Sequence, residues 1–291
     1  MKKNNFVFFG TSEFSVDVLN QLKIAGFFPD LIVTTPDSLQ GRGMKLTPCA
    51  VKVWAEENKI KNIQPERLSG DFAAQLKSYK NESGENLNWD VFIVVSYGKI
   101  IPQEILDIPA CGFLNVHPSL LPLHRGPSPI ETAILNDELK TGVTIMLIDE
   151  KVDHGPIVTQ EVVEFSEWPN KKEVSEKLAE VGGKILAKIL PPYISGEITP
   201  TPQNHALATF TKKIEKSDAE IFLSDSGSNS ERKNFLKIMA YTPQPGAFFF
   251  TEKDGKKIRV KITDAKYENG ALEILRIIPE GKKEQDFKGF L

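Results

Sequence analysis

The stretch Asn5-Phe-Val-Phe-Phe-Gly10, continued by Thr11-Ser-Glu-Phe14 and closing at Leu31-Ile-Val-Thr34, decides the fold class. Four consecutive apolar residues ending at a glycine predict a strand buried on both faces. Thr11 or Ser12 offers a helix N-cap, and Phe14, Val18, Leu22 and Ile24 are read as one apolar helix face. A second short strand follows at Leu31–Thr34. Strand, helix and strand within thirty residues form a βαβ unit, and that unit demands a parallel sheet. Working outward, helices are predicted after Pro48 and around Phe72–Tyr79, and strands at Val91–Val95, Phe113–His117, Val143–Ile148 and Ile157–Val163. A last helix starts at an Asn170 cap with Glu173 three residues on, and is expected to stop at Pro191-Pro192. The Pro-rich polar stretch from Thr199 to Asn204 reads as an extended linker. Beyond it come a helix near Glu231–Ala240 and short strands at Ala247–Thr251, Lys257–Ile262 and Ala271–Ile277. Their turns are Lys253-Asp-Gly255 and Asn269-Gly270. The expected architecture is α/β: a Rossmann-like, mostly parallel sheet domain over 1–198, a linker over 199–208, and a small β-barrel (OB-like) domain over 209–291.

Composition narrows the class. The 291 residues are 40% hydrophobic and 26% charged, which excludes global disorder. No apolar run approaches the roughly 18 residues that span a bilayer, and the N-terminal one is too short for a secretory signal. Two cysteines, Cys49 and Cys111, make neither a disulfide framework nor a four-ligand zinc site. The expectation is a soluble cytoplasmic monomer without metal or membrane association. Net charge is −3, unevenly spread: residues 1–200 carry 20 Lys and Arg against 26 Asp and Glu, residues 201–291 carry 16 against 13. A mildly basic C-terminal part hints at a polyanionic partner.

The motifs that usually announce chemistry are missing. There is no GxGxxG after the first strand, and no P-loop, HExxH, GxSxG or paired CxxC. What stands out is Asn115-Val-His117-Pro-Ser-Leu-Leu-Pro122-Leu-His-Arg125-Gly126. Asn115 and His117 lie two residues apart at a strand end, so both leave the same face while Val116 packs on the other. In open α/β sheets ligands bind at that carboxyl edge. An imidazole to move a proton beside an amide to stabilise an oxyanion suits acyl transfer. After the next strand, Asp149 and Asp153 could each supply a carboxylate to orient His117. Ser119 reads as a loop-capping serine, His124 and His154 as residues of exposed loops, and the two cysteines as small apolar or loop residues. The connection from Thr35 to Pro48 is more than twice the usual βα length. Its Arg42 and Lys45, set among Gly41 and Gly43, suit a phosphate backbone.

These pieces occur in an order that resembles a known family. Asn115-Val-His-Pro-Ser-Leu-Leu-Pro122, then Thr141-Gly-Val-Thr-Ile-Met146, then the Asp149/Asp153 segment through Ile157, is similar to the formyltransferases that use 10-formyltetrahydrofolate. The Gly41-Arg-Gly-Met-Lys45 loop and the C-terminal segments from Lys212 and Pro243 are similar to its tRNA-directed branch, so the resemblance covers nearly the whole chain. It implies Asn115, His117 and Asp153 as the catalytic set, with Asp153 chosen over Asp149 because the family's carboxylate lies just before a small-residue-Gly step. It implies Ser119, Leu120, Leu121 and Pro122 as a folate-site loop, with the pterin against backbone near Val94–Gly98 and Ile148–Asp153. The co-substrate is then 10-formyltetrahydrofolate, and the acceptor is initiator methionyl-tRNA, met by Arg42, Lys45 and the C-terminal domain. Two other readings stand beside it: the same chemistry on an amino-sugar nucleotide, and a non-catalytic RNA-binding protein. The C-terminal segment departs from the family at Phe222, where tryptophan is common.

Overall fold

A computed structural model describes residues 4–40, 43–81, 83–223, 228–253 and 255–290. The chain divides into two compact units, each built from discontinuous segments. The first comprises Met1–Arg125, Gly142–Val162 and Glu176–Ala208; the second comprises Gly126–Thr141, Val163–Ser175 and Thr209–Leu291.

The elements, in chain order, are β1 (Phe6–Gly10), α1 (Glu13–Ile24), β2 (Leu31–Val33), β3 (Ser38–Gln40), β4 (Lys45–Thr47), α2 (Ala50–Glu57), β5 (Asn62–Ile63) and α3 (Gly70–Lys77). They continue with β6 (Val91–Val95), α4 (Gln103–Leu106), β7 (Phe113–His117), α5 (Pro129–Leu135), β8 (Lys140–Leu147), β9 (Ile157–Glu164) and α6 (Lys171–Ile194). Last come α7 (Ser228–Tyr241), β10 (Phe248–Lys253), β11 (Lys256–Glu268), β12 (Ala271–Pro279) and β13 (Gln285–Asp286).

The first unit is organised by a seven-stranded sheet in the order β5-β2-β1-β6-β7-β8-β9. The first five strands run parallel, and β8 turns antiparallel to β7. Parallel pairing needs crossovers, and α1 supplies the first. Ser12 caps it, its hydroxyl accepting the Ser15 N–H, and Phe14, Val18 and Leu22 are buried. Ile24 is exposed instead, because two residues beyond Leu22 a helix has turned about 200° away from the buried face. On one side of the sheet, Val7, Phe9, Leu31, Val33, Phe92 and Val94 pack with Phe72 and Leu76 of α3. That alternation is what a two-residue strand period imposes.

α6 covers the opposite face. Asn170 and Glu173 cap it reciprocally, the Asn170 amide donating to Glu173 and the Glu173 N–H to Asn170. The helix does not stop at Pro191-Pro192 but runs on to Ile194. Proline's fixed φ is compatible with helical backbone, and the pair removes two N–H donors from the last turns. Tyr193 anchors the added turn, its hydroxyl donating to the Cys111 carbonyl at 2.7 Å. Gly182 lets the helix approach the sheet, since a Cβ there would lie 2.8 Å from Cγ1 of Val116 and 3.1 Å from Cγ1 of Val143.

The long connection after β2 is not structureless. β3 and β4 pair as an antiparallel hairpin, with Leu39 opposite Leu46. Both side chains are exposed. In the second unit, α5 and α7 accompany a separate antiparallel sheet, β10-β11-β12-β13. Its Asn269-Gly270 turn has both residues at positive φ, as a tight hairpin requires.

Gly182→Ala should destabilise the protein. The crowding costs about 1–3 kcal/mol, against about 1 kcal/mol regained in helix propensity. The expected result is a Tm lower by several degrees in thermal unfolding. A Tm at or above wild type would mean that α6 can shift off the sheet freely.

Candidate active site

The carboxyl ends of β6 and β7 and the turn between β8 and β9 bring the polar residues together. β7 is buried on both faces, only Asn115 being half-buried. Val116 packs under Gly182 of α6, while Asn115 and His117, two residues apart, share the other face. Pairing fixes their depth, since Asn115 lies opposite Val94 and Met146, and His117 opposite Thr144.

Asp153 comes from the β8–β9 turn to meet them. Its Oδ1 accepts from the Asn115 side-chain amide at 3.3 Å and lies 3.5 Å from Nδ1 of His117. Little of the pair is solvated, the side chains of His117 and Asp153 being 5% and 13% exposed. The other imidazole nitrogen, Nε2, is 3.0 Å from the His124 carbonyl. A carbonyl only accepts, so Nε2 carries the proton in the neutral ring. Nδ1 then holds the lone pair on the Asp153 side.

Of the two aspartates, Asp153 faces Asn115 and His117. Asp149 instead takes a 2.6 Å contact with Nδ1 of His154 and caps the turn through the Lys151 N–H. The turn leaves little freedom. Asp153 has φ 48°, and a Cβ on Gly155 would collide with the Leu147 carbonyl.

The loop after β7 is fixed from beneath. The Ser119 hydroxyl donates to the Leu123 carbonyl at 2.6 Å, so this serine caps the loop. Thr144 donates to the Ser119 carbonyl and receives the Leu121 N–H, and Gln160 donates to Thr144 and to the Leu121 carbonyl. Ser119, Leu120, Leu121 and Pro122 therefore form a braced loop directly after His117, joined to it by the bond from the Ser119 N–H to the His117 carbonyl.

Two placements, those of His124 and His154, differ from the sequence expectation. His124 is buried, at φ 58°, and its carbonyl serves His117. His154 stacks on His205, ring centroids 4.0 Å apart and ring planes nearly parallel. His205 is held below its ordinary pKa by lost hydration, then by the neighbouring His154 and Arg125. Arg125 and Gln203, which the sequence reading passed over, are also buried. Nothing in an arginine inside HRGPSP or a glutamine inside a polar stretch marks them as interior residues.

Of the proposed phosphate contacts, Lys45 is exposed at the start of β4, while Gly41 and Arg42 lie outside the described residues. Among the described residues, no group of three or more His, Cys, Asp or Glu could hold a metal ion. No described helix is long and apolar enough to cross a membrane.

Comparison with known proteins adds a lineage to this geometry. Residues 3–190 match the protein-family model described as Formyl transferase. A protein named methionyl-tRNA formyltransferase from Chloroflexus aurantiacus is 39% identical over 254 residues, 87% of this chain and 78% of its own. One of the same name from Thermodesulfovibrio yellowstonii is 38% identical over 307 residues, covering 99% and 95% of the two chains. Among solved structures, a sugar N-formyltransferase from Shewanella sp. FDAARGOS_354 superposes with a TM-score of 0.64. It is 17% identical, with 91% of this chain and 99% of that one covered, a likeness of fold.

Proposed function

The chain belongs to the formyl transferase family, and we propose that it moves the formyl group of 10-formyltetrahydrofolate onto the α-amine of methionine esterified to initiator tRNA. The observation that carries the chemistry is the convergence of Asn115 and His117 on one oxygen of Asp153. What supports the acceptor is the name borne by relatives 38–39% identical across most of the chain.

The amine attacks the formyl carbon, forming an N–C bond and a tetrahedral oxyanion. One N–H of the Asn115 amide is engaged by Asp153, and the second is available to the oxyanion. Nδ1 of His117 takes the proton from the attacking amine, with the Asp153 carboxylate stabilising the imidazolium. The same proton goes to N10 of the folate as the C–N10 bond breaks, leaving tetrahydrofolate and a formamide. No group on the enzyme is consumed. The braced loop Ser119–Pro122 and the backbone of Val94–Gly98 and Ile148–Asp153 would hold the folate. The second unit's sheet, read as part of an OB-like barrel, would contact the tRNA; so would Lys45 of β4 and Arg42.

Labelled formyl transfer from 10-formyltetrahydrofolate, with Met-tRNA and an amino-sugar nucleotide offered separately, tests the assignment. Transfer to the sugar and not to the tRNA would replace this acceptor with the alternative one. In the same assay His117→Ala should lower turnover on the order of 100-fold; activity within a few-fold of wild type would end its role as proton carrier.

Asp153→Asn keeps shape and removes charge, so a comparable loss of turnover is expected. Asp149→Asn should cost far less, because that carboxylate serves His154. The opposite ranking would transfer the orienting role to Asp149.

Replacing Arg42 and Lys45 together by Ala should weaken use of Met-tRNA and flatten its salt dependence, since phosphate contacts contribute salt-sensitive affinity and no chemistry. Unchanged kinetics across a salt series would remove these two residues from the tRNA site.

A further inference from the structure

Behind the Asp153 turn lies a second polar layer that touches no reacting atom. Gln203 is 5% exposed, and its amide nitrogen donates to the carbonyls of Asp153 at 2.9 Å and Gly155 at 2.8 Å. Its Oε1 accepts from Nε and Nη2 of Arg125 at 3.2 and 2.6 Å. Arg125 is 3% exposed, and its Nη2 also donates to Nδ1 of His205 at 2.9 Å. The residue before it, His124, carries the carbonyl that meets Nε2 of His117. One buried guanidinium is thus tied to the support of both members of the His117–Asp153 pair.

We propose that Gln203 is a positioning residue for formyl transfer: clamped by Arg125, it fixes the Asp153–Gly155 turn so that Oδ1 of Asp153 faces Asn115 and His117. The inference rests on the roles given above to those three residues. It places part of the active-site machinery at a position outside residues 3–190, the segment matched by the family model.

Three physical points support it. Left-handed backbone at a non-glycine residue is strained, and it persists only where its surroundings over-determine it. Asp153 has that backbone, and the amide of Gln203 bonds the carbonyls on both sides of residue 154. A buried guanidinium must have acceptors, and Gln203 supplies one with two bonds, which also fixes which end of the amide points at the turn. Finally, the segment bearing Gln203 is held by its backbone, through reciprocal 2.8 Å hydrogen bonds between Thr201 and Ile157. The side chain is therefore free to serve the turn rather than to anchor its own segment.

The test is Gln203→Glu, which keeps the acceptor for Arg125 and removes both donors to the turn, with Gln203→Met read in parallel. The expected result for Gln203→Glu is a kcat lower by roughly 10- to 100-fold, with KM for Met-tRNA and for the folate within about threefold. In the Asp153→Asn background the same substitution should cost almost nothing further, because it acts through the carboxylate already removed. A Gln203→Glu enzyme within twofold of wild type, or a loss that multiplies fully with that of Asp153→Asn, overturns the proposal. Failure of both Gln203 variants to fold overturns it too, assigning the residue to stability alone. If Asp153→Asn by itself leaves turnover intact, the reading of the site fails first, and that result is distinct from the others.

Discussion

Everything at the site depends on the two-residue period of β7. A strand in the middle of a sheet presents alternate residues to opposite faces. Val116 must therefore fill the space under α6, and Asn115 and His117 must share the other face. Apolar packing beneath Val116 sets the height of the strand, and the pairing with β6 and β8 sets its reach. The positions of the amide and the imidazole are consequences of burial that has nothing to do with catalysis.

The carboxylate is placed by a different device. Asp153 belongs to a turn with left-handed backbone and a glycine pressed against the Leu147 carbonyl. Such a turn is determined by steric exclusion and by hydrogen bonds to its carbonyls. The site thus joins a rigid strand with a constrained turn, and the His117–Asp153 separation of 3.5 Å depends on both. That separation is long for a hydrogen bond. It suits a pair whose attraction strengthens when the imidazole takes a proton.

Local pattern carries much of this architecture. The β1–α1–β2 unit is legible because each strand is a continuous apolar run and α1 has a capping serine at the right place. The capping pair Asn170 and Glu173 is legible for the same reason, since the two partners are neighbours along the chain. The end of α6 is not, because proline's cost depends on the contacts of the residues after it, and Tyr193 finds a partner eighty-two residues away. The hairpin of β3 and β4 hides in a polar, glycine-bearing connection with no alternating apolar pattern to announce it.

By itself, the sequence determined the parallel sheet, the shared face of Asn115 and His117, and the separate β-rich C-terminal texture. All three depend on periods of two or 3.6 residues and on nearby caps. Its motif order also pointed to the family that the relatives bear out. The resemblance chose Asp153 over Asp149, and the structure brings Asp153 to the imidazole. Only the tertiary structure decided that His124 and Arg125 are interior and that Gln203 bonds the carbonyls of Asp153 and Gly155. These depend on contacts between residues 7 to 78 positions apart. Side-chain burial at such separations is set by how the sheet edge and its loops close, and no local period encodes that.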